Sequence, residues 1–245
     1  MSSWKIALID KTAEGVVPHV LLQQIADALQ QQVDNDFAPV WGMRADISAP
    51  ATGDVIPPDA WHVNVVDSLS GAGGVHLDDQ GQPYAEAVNG PNLSTSISHE
   101  VLEMLVDPWG NRFTLGPDID PNYPDRQVFY LVEVCDPCEV SSYLIGNVPV
   151  SDFVLPAFYD PNGVAPFDHC NTLTKPLPEK VPQDCYISWI DPADWKWHQQ
   201  APDGTFDTAD ATPGSNPRAD RDKVFGDDDG DDGAVRHNIP ANHTK

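Results

Sequence analysis

The chain has 245 residues, 38 acidic against 13 basic, for a formal net charge of -25. That balance argues against a nucleic-acid binder, which needs a basic face to neutralise phosphate, and an anionic membrane surface would repel it. Hydrophobic residues make up 40% and seven are Trp, the composition of a globular chain with a sizeable core rather than a disordered one.

The N-terminal segment lacks a basic stretch followed by a long apolar run, so no secretory signal is expected. No apolar run is long enough for a transmembrane helix. The expected location is the cytoplasm or a particle assembled there.

Residues 4–9 read as a strand. Residues 17–33 predict a helix, with apolar positions 20, 21, 22, 25, 26, 28, 29 and 33 on one stripe and Pro18 in the first turn. Further strands are expected at 38–47 and, with clear alternation, at 60–67. Gly71-Ala72-Gly73-Gly74 reads as a flexible turn. The segment 75–88 is extended and interrupted by Gly81 and Pro83, which suits an edge strand, since proline cannot donate to a central ladder.

The run Ser98-His99-Glu100-Val101-Leu102-Glu103 comes next, on an expected helix capped by Ser94, Thr95 or Ser96 and stopped by Pro108. Beyond it the chain becomes rich in loops, with a Pro/Asp loop at 116–126 and a strand-like run at 127–134. A hairpin is expected at 142–145 and 148–151 over Gly146-Asn147. Trp189, Trp195 and Trp197 are expected to cover a surface of this half. From about residue 200 the composition turns to Asp, Gly, Pro and Ala. The expected organisation is a domain over 1–200, with halves at 1–108 and 109–200, and an acidic tail over 201–245. The Asp run at 226–233 lacks the alternating ligands and terminal Glu of a calcium loop.

The helix run lies one residue from the zinc-protease signature His-Glu-x-x-His, with Glu103 in place of the second His. On a helix, positions i and i+4 share a face, so His99 and Glu103 can aim at one ion. Glu100, about 100° round the helix, takes the place of the general base. Asp107 is two turns on and better suited to orienting a ligand or starting the turn with Pro108. Glu133 is the first choice for a third ligand. Asp136 is a further ligand or holds the tautomer of His99, and Glu139 is a weaker choice. Cys135, Cys138, Cys170 and Cys185 fit no common finger spacing and leave structural zinc, disulfides and buried thiols open.

The blocks Ser98-His99-Glu100-x-x-Glu103-x-x-x-Asp107-Pro108 and Glu133-x-x-Asp136-x-Cys138 resemble a pattern of an uncharacterised group of zincin-like proteins from bacteria and phages. They are also similar, more distantly, to a segment of the plant phosphate-induced, exordium-type proteins. The runs at 34–42, 78–83 and 151–158 resemble the bacterial group in particular. The resemblance spans roughly 4–190 and implies an α+β zincin-like fold. That fold has a mixed sheet with an edge strand, a motif-bearing helix and an irregular, loop-rich lower half, with a metal at His99.

The expected function is a metal-dependent peptidase, with Glu100 as base and His99, Glu103, Glu133 and Asp136 around the ion. Zinc is the expected metal, with calcium and manganese as alternatives, and a peptide or protein is the expected substrate or partner. The alternative is a non-catalytic binding or structural protein, such as a particle component, that uses the ion for rigidity.

Overall fold

The structure is a computed structural model, and it describes residues 3–69 and 72–210. The first residue of the expected 71–74 turn and the tail beyond 210, with its Asp run, lie outside the described residues. The chain divides into two compact units. The first comprises the described residues up to Trp109 together with Ser142–Ser151; the second comprises Gly110–Ser141 and the described residues from Asp152 on.

Strand β1 (Trp4–Asp10) buries Ile6, Ala7 and Leu8 in succession, as a strand covered on both faces does. Helix α1 (His19–Gln32) buries Leu22, Ile25, Ala26 and Leu29 at helical spacing. The helix does not stop there. Residues Val33–Phe37 widen into a π turn, and Ala38–Trp41 form a single-turn helix, α2, closed by Gly42 at a φ of 73°. The strand expected at 38–47 is therefore confined to β2 (Ala45–Ser48). Pro39 sits in a first helical turn, where no N–H is needed, and Phe37 is fully buried.

Strand β3 (Trp61–Val66) keeps the expected alternation of buried and half-buried residues. The segment expected to be one edge strand is instead a hairpin of β4 (Gly74–Asp79) and β5 (Gln82–Val88). Gln80 and Gly81, at φ of 51° and 85°, give the tight turn whose twist matches paired strands. The sheet order is β2-β1-β3-β5-β4. The first four strands run parallel, and only β4, at the edge, is antiparallel.

The motif lies on α3 (Leu93–Val106), which faces β4 and β5. Its N-cap is Asn92, not Ser94, Thr95 or Ser96, which fall within the first turns; Ser94 Oγ instead donates to the carbonyl of Pro149. Asp107, with a φ of -131°, ends the helix before Pro108.

The second unit starts with β6 (Phe113–Pro117) and β7 (Gln127–Leu131). The chain then returns to the first unit as the hairpin β8 (Ser142–Ile145) and β9 (Val148–Ser151), turning at Gly146-Asn147 as expected. A closed ring of buried hydrogen bonds ties β9 to both helices. Ser98 Oγ donates to Gln32 Oε1 at 2.8 Å, Gln32 Nε2 donates to the Ser151 carbonyl at 2.9 Å, and the Ser151 N–H donates to Ser98 Oγ at 3.0 Å. Each polar group in the ring is satisfied by the next, which is the condition for burying it cheaply.

The second unit continues through β10 (Ile187–Asp191), β11 (Lys196–Gln200) and β12 (Phe206–Asp210). Its sheet has the order β12-β11-β10-β7-β6 and is antiparallel throughout. Strand β12 carries the sheet past residue 200, where the composition turns polar. Trp189 and Trp197 are fully buried on these strands rather than covering a surface, and of these three Trp195 is the exposed one.

The expected α+β zincin-like fold is thus corrected. Among the described residues the chain is mostly β, with twelve strands in three sheets and only two helices longer than two turns. The half expected to be irregular holds a five-stranded antiparallel sheet. Strand β10 is buried at all five positions, so no alternation betrays it. No helix among the described residues is long and apolar enough to cross a membrane.

Candidate metal centre

Helix α3 places His99 and Glu103 one turn apart, and His99 Nε2 lies 3.3 Å from Glu103 Oε2. The helix buries 11 of its 14 residues, Glu100 and Glu103 included. The two carboxylates are therefore not a solvated helix face.

A third side chain, His76, comes from the edge strand β4. Its Nδ1 approaches Glu100 Oε2 to 3.4 Å and Glu103 Oε2 to 3.6 Å, and its side chain is 1% exposed. Its Nε2 lies 3.2 Å from the backbone carbonyl of Asp107. A carbonyl only accepts, so Nε2 carries the proton that makes this bond. In the neutral ring Nδ1 then bears a lone pair, and that lone pair faces two carboxylates. Lone pair against lone pair is repulsive unless a proton or a metal ion stands between them. One donor atom from each of His76, Glu100 and Glu103 lies within 4.8 Å of the others, so this buried group can hold a metal ion.

Gly74, two residues before His76 on β4, makes room for the carboxylate. A Cβ there would stand 2.7 Å from Glu100 Oε1 and 2.9 Å from its Cγ, closer than a side chain tolerates. The contact that Asp107 makes to this group is its backbone carbonyl, which faces His76 Nε2.

His99, Glu100 and Glu103 thus come together within the first unit. Glu133 and Asp136 are buried in the second unit. There the Glu133 carbonyl accepts from Tyr159 Oη at 2.9 Å, and Asp136 opens the short turn Asp136–Cys138. His76 was missed in the sequence because nothing local marks it. It sits among Val75, Leu77 and two aspartates, and only the pairing of β4 with β5 brings it over α3.

The cysteines lie in the second unit and none forms a disulfide. None belongs to a metal-capable group among the described residues. Burial pushes the Cys170 and Cys185 thiols up to about 12, and the fully buried Cys138 is raised well above the ordinary range for the same reason. Asp152, close by, is raised to about 7 by burial and by its hydrogen bond to Asp168. Compared with known proteins, the chain matches no family model, no curated sequence and no solved structure.

Proposed function

We propose that the chain is a metal-dependent hydrolase acting on peptides, with the ion held at His76 and Glu103 and with Glu100, the third member of that group, as the proton acceptor. The observation that carries this reading is His76 Nδ1, which points at both carboxylates while its other nitrogen is fixed on the Asp107 carbonyl. A histidine nitrogen with carboxylate oxygen forms a donor set that suits zinc or manganese; calcium prefers oxygen alone. A bound ion of this kind supplies Lewis-acid activation of water.

Glu103 bridges toward both imidazoles and is the anionic ligand. Glu100, held between Gly74 and His76, is the residue that accepts and returns a proton. The Asp107 carbonyl keeps His76 in one tautomer, as partners behind metal ligands commonly do. Among the described residues strand β4 ends its sheet, so its outer backbone groups offer an extended peptide a place to pair beside His76.

The burial of His76 and Glu103 favours a second reading, an ion held for rigidity in a binding or structural protein. Metal analysis of protein purified without chelator, followed by a peptide-library assay, separates the two. Stoichiometric zinc with cleavage supports the hydrolase, and stoichiometric metal without cleavage supports the structural ion. Absence of metal with normal stability would sink both.

A further inference from the structure

A second group of donor side chains lies wholly within the second unit. The pairing of β10 with β11 sets Trp189 opposite His198 and Asp191 opposite Lys196. Residues two apart on a strand share a face, so Asp191 and His198 are diagonal neighbours on one face of the hairpin. The turn between the strands carries Asp194, whose Oδ1 lies 3.9 Å from His198 Nε2. One donor atom from each of the three residues lies within 4.8 Å of the others.

An acidic turn is by itself an ordinary way to end a hairpin. The departure here is His198. Only 9% of it is exposed, and among the described residues its buried Nε2 has no hydrogen-bond partner. The ring is held on two sides. It stacks on Trp189 at an interplanar angle of 12°, and Nδ1 lies 3.1 Å from Thr208 Oγ1 on the neighbouring strand β12. In the tautomer whose Nδ1–H donates to that hydroxyl, Nε2 presents a lone pair toward Asp194.

Asp191 is fixed as firmly. Its Oδ2 accepts from Arg126 Nη1 at 2.6 Å and its Oδ1 from the Ala193 N–H at 2.8 Å. Each oxygen keeps a second lone pair. Arg126 positions this carboxylate and offsets part of the local negative charge.

We propose that Asp191, Asp194 and His198 form a second divalent-cation site, separate from the one at His76 and independent of it. One imidazole nitrogen and two carboxylate oxygens suit zinc or manganese; calcium would want a larger shell of oxygens. Ligands about 2.0–2.2 Å from one ion lie closer together than these atoms do. Asp194, with 45% of its side chain exposed, is the residue that swings in.

The test loads the whole chain with zinc, dialyses it against metal-free buffer, and counts zinc per chain in the parent, H198N and D194N. Each variant is expected to retain about one equivalent less than the parent. Zinc is also expected to move the ring nitrogen resonances of His198 in the parent. Asp194 is exposed in the turn, so D194N keeps the experiment decisive even where H198N fails to fold. Zinc content in D194N equal to that of the parent, or His198 resonances that zinc leaves in place, overturns the proposal. E103Q, carried alongside, keeps the two centres apart, because it should lose its own equivalent and leave the His198 shift intact.

Discussion

His76 Nδ1 and Glu103 Oε2 meet at 3.6 Å although one residue sits on an edge strand and the other on the helix that follows the hairpin. Glu103 Oε2 also stands 3.3 Å from His99 Nε2, so a single carboxylate oxygen is shared between two imidazoles. Replacing that oxygen should disable the centre. E103Q is expected to weaken metal binding by at least about 10-fold, read as metal per chain after dialysis. Undiminished metal in E103Q and in a His76→Ala variant together would place the ion elsewhere.

Glu100 has a different task. E100Q keeps the size of the side chain and removes its ability to take a proton. Metal content should stay near that of the parent while peptide cleavage falls by about 10²–10⁴-fold. Parallel loss of metal and cleavage would instead make Glu100 a ligand.

The backbone of β4 is part of the same design. Adding one methyl in Gly74→Ala puts a Cβ 2.7 Å from Glu100 Oε1. Overpacking of this kind costs roughly 1–3 kcal/mol. Urea denaturation should show that loss, and metal retention should fall with it, because Glu100 is pushed off His76. An unchanged midpoint would mean the side chain has somewhere else to go.

Much of this arrangement could be read from the sequence, and the parts that could not fail for identifiable reasons. The motif helix, the alternating strand β3 and the hairpin over Gly146-Asn147 are set by periodicity and turn chemistry, which are local. His76 is not local. Its neighbours are an ordinary strand sequence, and its meaning comes from pairing β4 with β5 and packing the pair on α3. The sheet of the second unit was hidden in another way. Strand β10 is buried at every position, so it shows no period of two, and β12 begins where the composition already resembles a tail. The zincin-like expectation leaned on the blocks that carry the resemblance, the motif helix above all, and passed over these strands.

Asp152 gives the second unit a pH dependence with a definite sign. Its pKa is raised to about 7 by burial first and then by the hydrogen bond with Asp168. The folded state therefore holds this proton more tightly than the unfolded chain, whose aspartate titrates near about pH 4. The group's contribution to stability is full below about pH 4 and declines as pH rises toward about 7. Asn at 152 can donate to Asp168 without titrating. In urea denaturation the stability of D152N relative to the parent should rise from pH 5 to pH 8. A parent-minus-variant difference that stays flat between these values would refute the assignment.

The thiols should be chemically quiet. Cys138 and Cys185 are buried, and the thiols of Cys138, Cys170 and Cys185 titrate above their ordinary range because burial opposes the thiolate that reacts. In native protein at pH 8, alkylation of these three should be slow, and all four thiols should react only after denaturation. Rapid native labelling at Cys138 would contradict the burial.

The hairpin Ser142–Ser151 belongs to the first unit, although thirty-two residues of the second, Gly110–Ser141, precede it in the chain. Synthesis therefore delivers α1 and α3 well before their partner. Until Ser151 has left the ribosome, Gln32 and Ser98 have lost two of the three links of their ring and must find water instead. The first unit cannot close before part of the second has been made, and no single cut in the polypeptide can release either unit whole.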